Sequence, residues 1–150
     1  MRFTLNGVSK VDEMEPNQTL CDYLHDTAGT TSVKKGCDTG ECGACTVLLD
    51  DMPVTSCLVL APQLEGREVV TVEGLGTKSA PHPIQQEFVE QDAVQCGYCI
   101  PGMIVTLAWI FEHAPEASDV EIKRLMSGNL CRCTGYLQQV EALKRARRRG

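Results

Sequence analysis

Eight of the nine cysteines in this 150-residue chain fall into two quartets. Cys37, Cys42, Cys45 and Cys57 follow the spacing C-x4-C-x2-C-x11-C, and Cys96, Cys99, Cys131 and Cys133 follow C-x2-C-x31-C-x-C. If each quartet holds one inorganic centre, the loops that carry its members must converge, and few folds allow that twice in so short a chain. Spacings of this kind suit two iron–sulfur clusters, and therefore electron transfer.

The quartets divide the chain, which predicts two small domains, 1–76 and 77–150. Each half has too few residues for a large hydrophobic core, so a bound cluster that ties distant segments together would add stability. The opening MRFTLNGV has no long apolar stretch and no twin arginine, and no segment approaches the roughly 20 apolar residues of a membrane span. A cytoplasmic protein without a membrane span is expected. In a reducing compartment an odd number of cysteines points to metal ligation and away from a disulfide scaffold. The net charge is −6, and five basic residues, Lys144, Arg145, Arg147, Arg148 and Arg149, crowd the C-terminus. The remaining body is markedly acidic, which speaks against nucleic-acid binding. The basic end reads as a solvated stretch that complements a helix dipole, or as a dock for an acidic partner.

Local patterns predict an α+β fold. Phe3 and Leu5, the turn Asn6-Gly7 and Val8–Val11 form a hairpin. Thr19 and Asp22 resemble a capping box for a short helix through Leu20, Tyr23 and Leu24. A glycine-rich loop from Lys34 to Ala44 follows. Strands at Thr46–Leu49 and Val54–Leu58 then flank a turn at residues 50–53, and Val69–Val72 makes the last strand. Residues 73–83 have the composition of a linker. Beyond them four helices are predicted, with inward faces at Ile84 and Phe88; at Ile104, Leu107, Ala108 and Phe111; after a Ser118–Glu121 capping box; and at Tyr136, Val140 and Leu143. The second quartet then lies in two loops at one end of a four-helix bundle.

The first quartet has the C-x4-C-x2-C spacing that plant-type [2Fe–2S] ferredoxins use for three ligands, with the fourth further on. Three glycines in GCDTGECGAC let backbone N–H groups approach the sulfurs. In an extended stretch Cys131 and Cys133 face the same way, and Cys99 and Cys133 precede helix starts whose dipoles favour an anionic cluster. A four-cysteine zinc site would pair two short hooks, which neither quartet does. A dithiol reading of Cys96–Cys99 leaves Cys131 and Cys133 unexplained. Cys21 reads as a buried apolar residue, and His25, His82 and His113 as surface or capping residues.

GCDTGECGACTV at 36–47, QCGYCIPGM at 95–103 and GNLCRCTGY at 128–136 resemble the small iron–sulfur subunit of the molybdenum hydroxylases, the xanthine dehydrogenase, carbon monoxide dehydrogenase and aldehyde oxidoreductase family. The resemblance spans nearly the whole chain. It implies an N-terminal plant-ferredoxin-like β-grasp domain followed by a C-terminal four-helix-bundle domain, each with one [2Fe–2S] cluster. It also implies a large subunit carrying the molybdopterin cofactor and a medium subunit carrying FAD, as a dimer of heterotrimers. Electrons would pass from molybdenum to the cluster of Cys96, Cys99, Cys131 and Cys133, then to that of Cys37, Cys42, Cys45 and Cys57, and out through FAD. Gln95 and Cys133 match positions that contact the pterin, although Gln95 also reads as a helix-end or packing residue. Ile100 stands where many relatives have threonine. Catalysis on substrate belongs to the large subunit, so the substrate (a purine, another N-heterocycle, an aldehyde or carbon monoxide) is not legible in this chain.

Overall fold

In the computed structural model, which describes residues 1–149, a five-stranded mixed sheet precedes a group of helices. The hairpin of β1 (Arg2–Leu5) and β2 (Val8–Val11) turns at Asn6-Gly7, both with positive φ. β1 then pairs in parallel with β5 (Glu68–Val70), and β5 pairs antiparallel with β3 (Thr46–Leu49), whose other neighbour is β4 (Met52–Thr55). Across one face of the sheet lies α1 (Leu20–Asp22), extended by a π turn at Tyr23–Thr27. Thr19 Oγ1 accepts the Asp22 N–H at 3.1 Å and starts that helix as expected. Phe3 and Tyr23 meet edge to face at 5.6 Å in a core shared with Leu20, Leu24, Val47 and Val69.

Two boundaries differ from expectation. The β3–β4 turn is the pair Asp50-Asp51, both at positive φ, so Met52 and Pro53 belong to β4 and Ser56–Leu58 forms a 3-10 turn. The last strand stops at Val70, and α2 (Val72–Leu75) occupies the start of the expected linker. Asn6 causes this stop: its Oδ1 accepts the Thr71 N–H at 2.8 Å, a position the sheet ladder would otherwise use.

The helices are α3 (Pro83–Glu90), α4 (Ile100–His113), α5 (Asp119–Leu125) and α6 (Leu137–Arg149). Ser118 and Glu121 cap α5 reciprocally, and a 3-10 turn at Met126–Gly128 follows it. His82 Nδ1 caps α3 by accepting the Ile84 N–H. Most of α4 is buried around its whole circumference, because it packs on β3 as well as on α3 and α6. This explains why all four residues of β3 are buried, since one face meets α1 and the other α4.

The basic end is not free. Lys144 pairs with Asp119, Arg145 and Arg148 with Glu141, and Arg149 with Glu90 and the buried Glu87, while Arg147 donates to the carbonyls of Ala114 and Ala117. These contacts fasten α6 to α3 and to the segment before α5. No helix is long and apolar enough to cross a membrane among the described residues.

Sheet and helices meet along a buried seam. The Leu130 N–H donates to the Cys42 carbonyl at 2.9 Å, and Asn129 Nδ2 donates to the Gly43 carbonyl at 3.1 Å and to Thr46 Oγ1 at 3.3 Å. At Gly43 a Cβ would lie 2.1 Å from the Gly128 carbonyl oxygen, and φ is +67°. Gly43→Ala should therefore strain the left-handed backbone and push the seam apart, lowering stability by about 2 kcal/mol or more, measured as a fall in the thermal midpoint.

A second contact crosses between the units at the surface. Trp109 Nε1 donates to the Asp51 carbonyl at 2.9 Å, and the Trp109 ring stacks on His113 at 4.9 Å. His113 Nδ1 faces the Trp109 carbonyl at 3.0 Å and Nε2 faces Asp51 Oδ2 at 2.8 Å. Both neighbours are acceptors, so only the imidazolium satisfies both. The Trp109 carbonyl first, and then Asp51, hold the pKa above the ordinary 6.5. A raised native pKa means that the contribution is complete below the unfolded pKa and fades as pH rises through the native one. The thermal midpoint should therefore fall between about pH 6 and about pH 8 more steeply in the native chain than in His113→Gln.

Candidate metal centres

The first quartet is carried by the glycine-rich loop, the start of β3 and the 3-10 turn after β4. Cys37 Sγ accepts the N–H groups of Thr39 at 3.4 Å and Cys42 at 3.3 Å, the arrangement that the loop's glycines allow. These bonds, with the Thr39 hydroxyl foremost, lower the Cys37 thiol to about 6. Cys45 and Cys57 are buried at the edge of the sheet core. The Cys45 thiol is lowered to about 5, first by a hydrogen bond from the fully buried Cys21. Burial pushes Cys57 up to about 11 and also raises Cys42. Cys21 itself is raised by its bond to Cys45 and then by burial, so it stays a thiol in the core, as its sequence context suggests.

The second quartet lies in the two loops expected for it. Cys96 and Cys99 sit between α3 and α4, with Cys99 as the N-cap of α4, while Cys131 and Cys133 sit between the 3-10 turn after α5 and α6. A bend at 132–134 replaces the extended geometry expected there, and Gly135-Tyr136, both at positive φ, separate Cys133 from the start of α6. Cys96 and Cys133 are exposed, Cys131 is half-buried and Cys99 is buried. Burial pushes Cys99 up to about 12. Burial acts upward on Cys131 too, but hydrogen bonds from Thr134 and neighbouring backbone overcome it and leave its thiol lowered.

Within each quartet a neighbouring thiol adds to the raising of another: Cys37 acts on Cys42, Cys45 on Cys57, Cys96 on Cys133 and Cys131 on Cys99. Among the described residues no group of three or more His, Cys, Asp or Glu side chains is drawn together tightly enough to hold one metal ion. Four thiols per quartet match the donor set of a two-iron cluster, which takes two thiolates at each iron.

Gln95 lies exposed in the loop beside Cys96, several residues past Gln91, the C-cap of α3, so it does not end that helix. Tyr98 is about half exposed, and its hydroxyl donates to the Lys35 carbonyl at 2.8 Å, joining the two cysteine loops. Sequence reasoning did not single out Asn129, Thr134 or Gln139, which hold these loops. Gln139 did carry a signal, being polar on the otherwise apolar face of Tyr136, Val140 and Leu143.

Comparison with known proteins agrees with this geometry. The family described as "2Fe-2S iron-sulfur cluster binding domain" matches residues 3–73, and the one described as "[2Fe-2S] binding domain" matches residues 71–144. The nicotinate dehydrogenase small FeS subunit of Eubacterium barkeri is 47% identical over 146 residues, covering 97% of this chain and 93% of its own. The crystal structure of quinoline 2-oxidoreductase from Pseudomonas putida 86 contains a chain that superposes with a TM-score of 0.91 at 43% identity, covering 100% of this chain and 97% of that one. In the aldehyde oxidoreductase of Desulfovibrio desulfuricans ATCC 27774 the TM-score is 0.93 at 36% identity, over 97% of this chain but 16% of that one. With two [2Fe–2S]-binding domains and relatives of this kind along nearly its whole length, the chain belongs to the small iron–sulfur subunits of the molybdenum hydroxylases.

Proposed function

We propose that this chain relays electrons from a molybdopterin-bearing large subunit, through two [2Fe–2S] clusters, to FAD on a medium subunit. The observation that carries the reading is the backbone hydrogen bond from the Leu130 N–H to the Cys42 carbonyl. It connects a member of the first quartet to the residue next to Cys131, so the loops that carry the two sulfur sites touch here, as they do where the Tyr98 hydroxyl meets the Lys35 carbonyl. Each cluster, when bound, stores and releases one electron at a time. Cys96, Cys99, Cys131 and Cys133 would hold the cluster nearer molybdenum, and Cys37, Cys42, Cys45 and Cys57 the one nearer FAD.

Exposure of Cys96, Cys133 and Gln95 supports a partner at that end, where Gln95 and Cys133 would meet the pterin. Exposed Val94, Tyr98, Leu130 and Leu137 supply apolar surface around them. We assign residues 1–76 to a β-grasp domain and 77–150 to a four-helix domain, with Gly150 outside the described residues. The parallel β1–β5 pair crossed by α1 supports the first assignment, and the grouping of α3 to α6 the second. A dimer of heterotrimers in the cytoplasm is the assembly we propose. The relatives named for nicotinate and quinoline favour a nitrogen heterocycle as the substrate of the complex.

The complex should contain about four irons per copy of this chain, with a brown colour; stoichiometric zinc in a colourless preparation would refute the reading. Cys21→Ala should leave that iron content unchanged, whereas Cys45→Ser should lower it. Cys133→Ser should abolish the EPR signal of the helical cluster and stop reduction of FAD by substrate, with the other cluster signal retained. Simultaneous loss of both signals would refute independent sites.

A further inference from the structure

One hydrogen-bonded chain begins at an amide in the helical core and ends on a sulfur of the second quartet. Gln139, in the first turn of α6, is fully buried. Its Nε2 donates to the Ala93 carbonyl at 3.0 Å and to Thr134 Oγ1 at 2.8 Å. Thr134 Oγ1 also accepts the Tyr136 N–H at 3.4 Å and lies 3.0 Å from Cys131 Sγ. A hydroxyl has one proton to give and two acceptor positions. Gln139 and Tyr136 fill both acceptor positions, so the Thr134 proton is directed to the Cys131 sulfur.

The orientation of the amide is determined by its surroundings. Reversed, it would set Oε1 against the Ala93 carbonyl, acceptor against acceptor. As it stands, Oε1 is buried without a hydrogen-bond partner among the described residues. An apolar side chain would avoid that cost. What the amide provides in return is its pair of N–H bonds, one to the segment leading into Cys96 and one to the residue after Cys133.

We propose that Gln139 is a positioning residue that fixes Thr134 as a hydrogen-bond donor to Cys131 and thereby raises the reduction potential of the second cluster. The inference rests on the ligand set proposed above. Reduction adds negative charge that spreads over the sulfurs, and a donor aimed at a sulfur favours the reduced state. Ala93, Thr134 and Gln139 are thus parts of one device that joins both ligand loops and tunes the centre between them.

The test is an EPR-monitored redox titration of the purified complex. Thr134→Val should favour the oxidised second cluster by about tenfold, which is ~59 mV for a one-electron couple, and Thr134→Ser should restore the native value. Gln139→Leu should shift the potential in the same direction by a smaller amount. Adding Gln139→Leu to Thr134→Val should produce no further shift, because Gln139 acts through the hydroxyl. The signal of the first cluster should not move in any variant. Pulsed EPR of the native reduced complex in H2O and D2O should also show an exchangeable proton coupled to the second cluster, missing in Thr134→Val. Unchanged potentials, an undiminished Gln139→Leu shift in the Thr134→Val background, or the lack of that proton would each overturn the inference. Absence of iron or of the second signal from the native complex would instead refute the ligand assignment. Should Gln139→Leu fail to load its cluster, the proton measurement on the native complex decides.

Discussion

Asn129 is the side chain on which the relation of the two halves depends. It is buried, and both N–H bonds of its amide go to the sheet unit, to the Gly43 carbonyl and the Thr46 hydroxyl. Thr46 Oγ1 in turn donates to the Gly43 carbonyl at 2.7 Å, so three polar groups satisfy one another inside the seam. Backbone meets backbone here: a Cβ on Gly102 would lie 2.4 Å from the Gly43 carbonyl oxygen. Removing one partner from such a network leaves the others buried and unpaired, which costs more than the bond itself contributes. The two cysteine sites are therefore held at one separation and in one orientation.

Around that seam the two sulfur sites differ in kind. The first draws on backbone N–H groups of a glycine-rich loop and on the edge of the sheet core, with Cys45 and Cys57 buried. In the second, an exposed pair, Cys96 and Cys133, faces outward, while Cys99 and Cys131 lie deeper against α4 and the Thr134 hydroxyl. A cluster's potential depends on burial and on hydrogen bonds to its sulfurs, so two centres with the same ligands need not share one potential.

Much of this was legible in the sequence because its signals are local. Asn6-Gly7 makes a hairpin whatever surrounds it, Ser118 and Glu121 cap α5, and cysteine spacing marks both sulfur sites without reference to the rest of the fold. Errors arose where distant residues intervene. Asn6 takes the Thr71 N–H across 65 positions and ends β5 early. The C-terminal arginines read as a solvated stretch or a dock for an acidic partner, and Arg145, Arg148 and Arg149 are indeed exposed, but Arg149 and Arg147 also reach Glu87, Glu90, Ala114 and Ala117, whose proximity depends on how α6 lies against its neighbours. α4 showed one apolar stripe in sequence and is buried on nearly every side, because it lies between sheet and helices.

The sequence by itself determined how the cysteines divide into two quartets, the order of sheet and helices, and the family, since each rests on residue types at short, regular intervals. Only the tertiary structure decided where the two cysteine loops meet and what surrounds each sulfur. The bond from Leu130 to Cys42, the seam at Gly43 and Asn129, and the path from Gln139 through Thr134 to Cys131 all join segments that no spacing rule connects. Hydrogen bonds are short-ranged and directional, so partners far apart in the chain meet only after the packing of α4 against β3 has brought the two halves together.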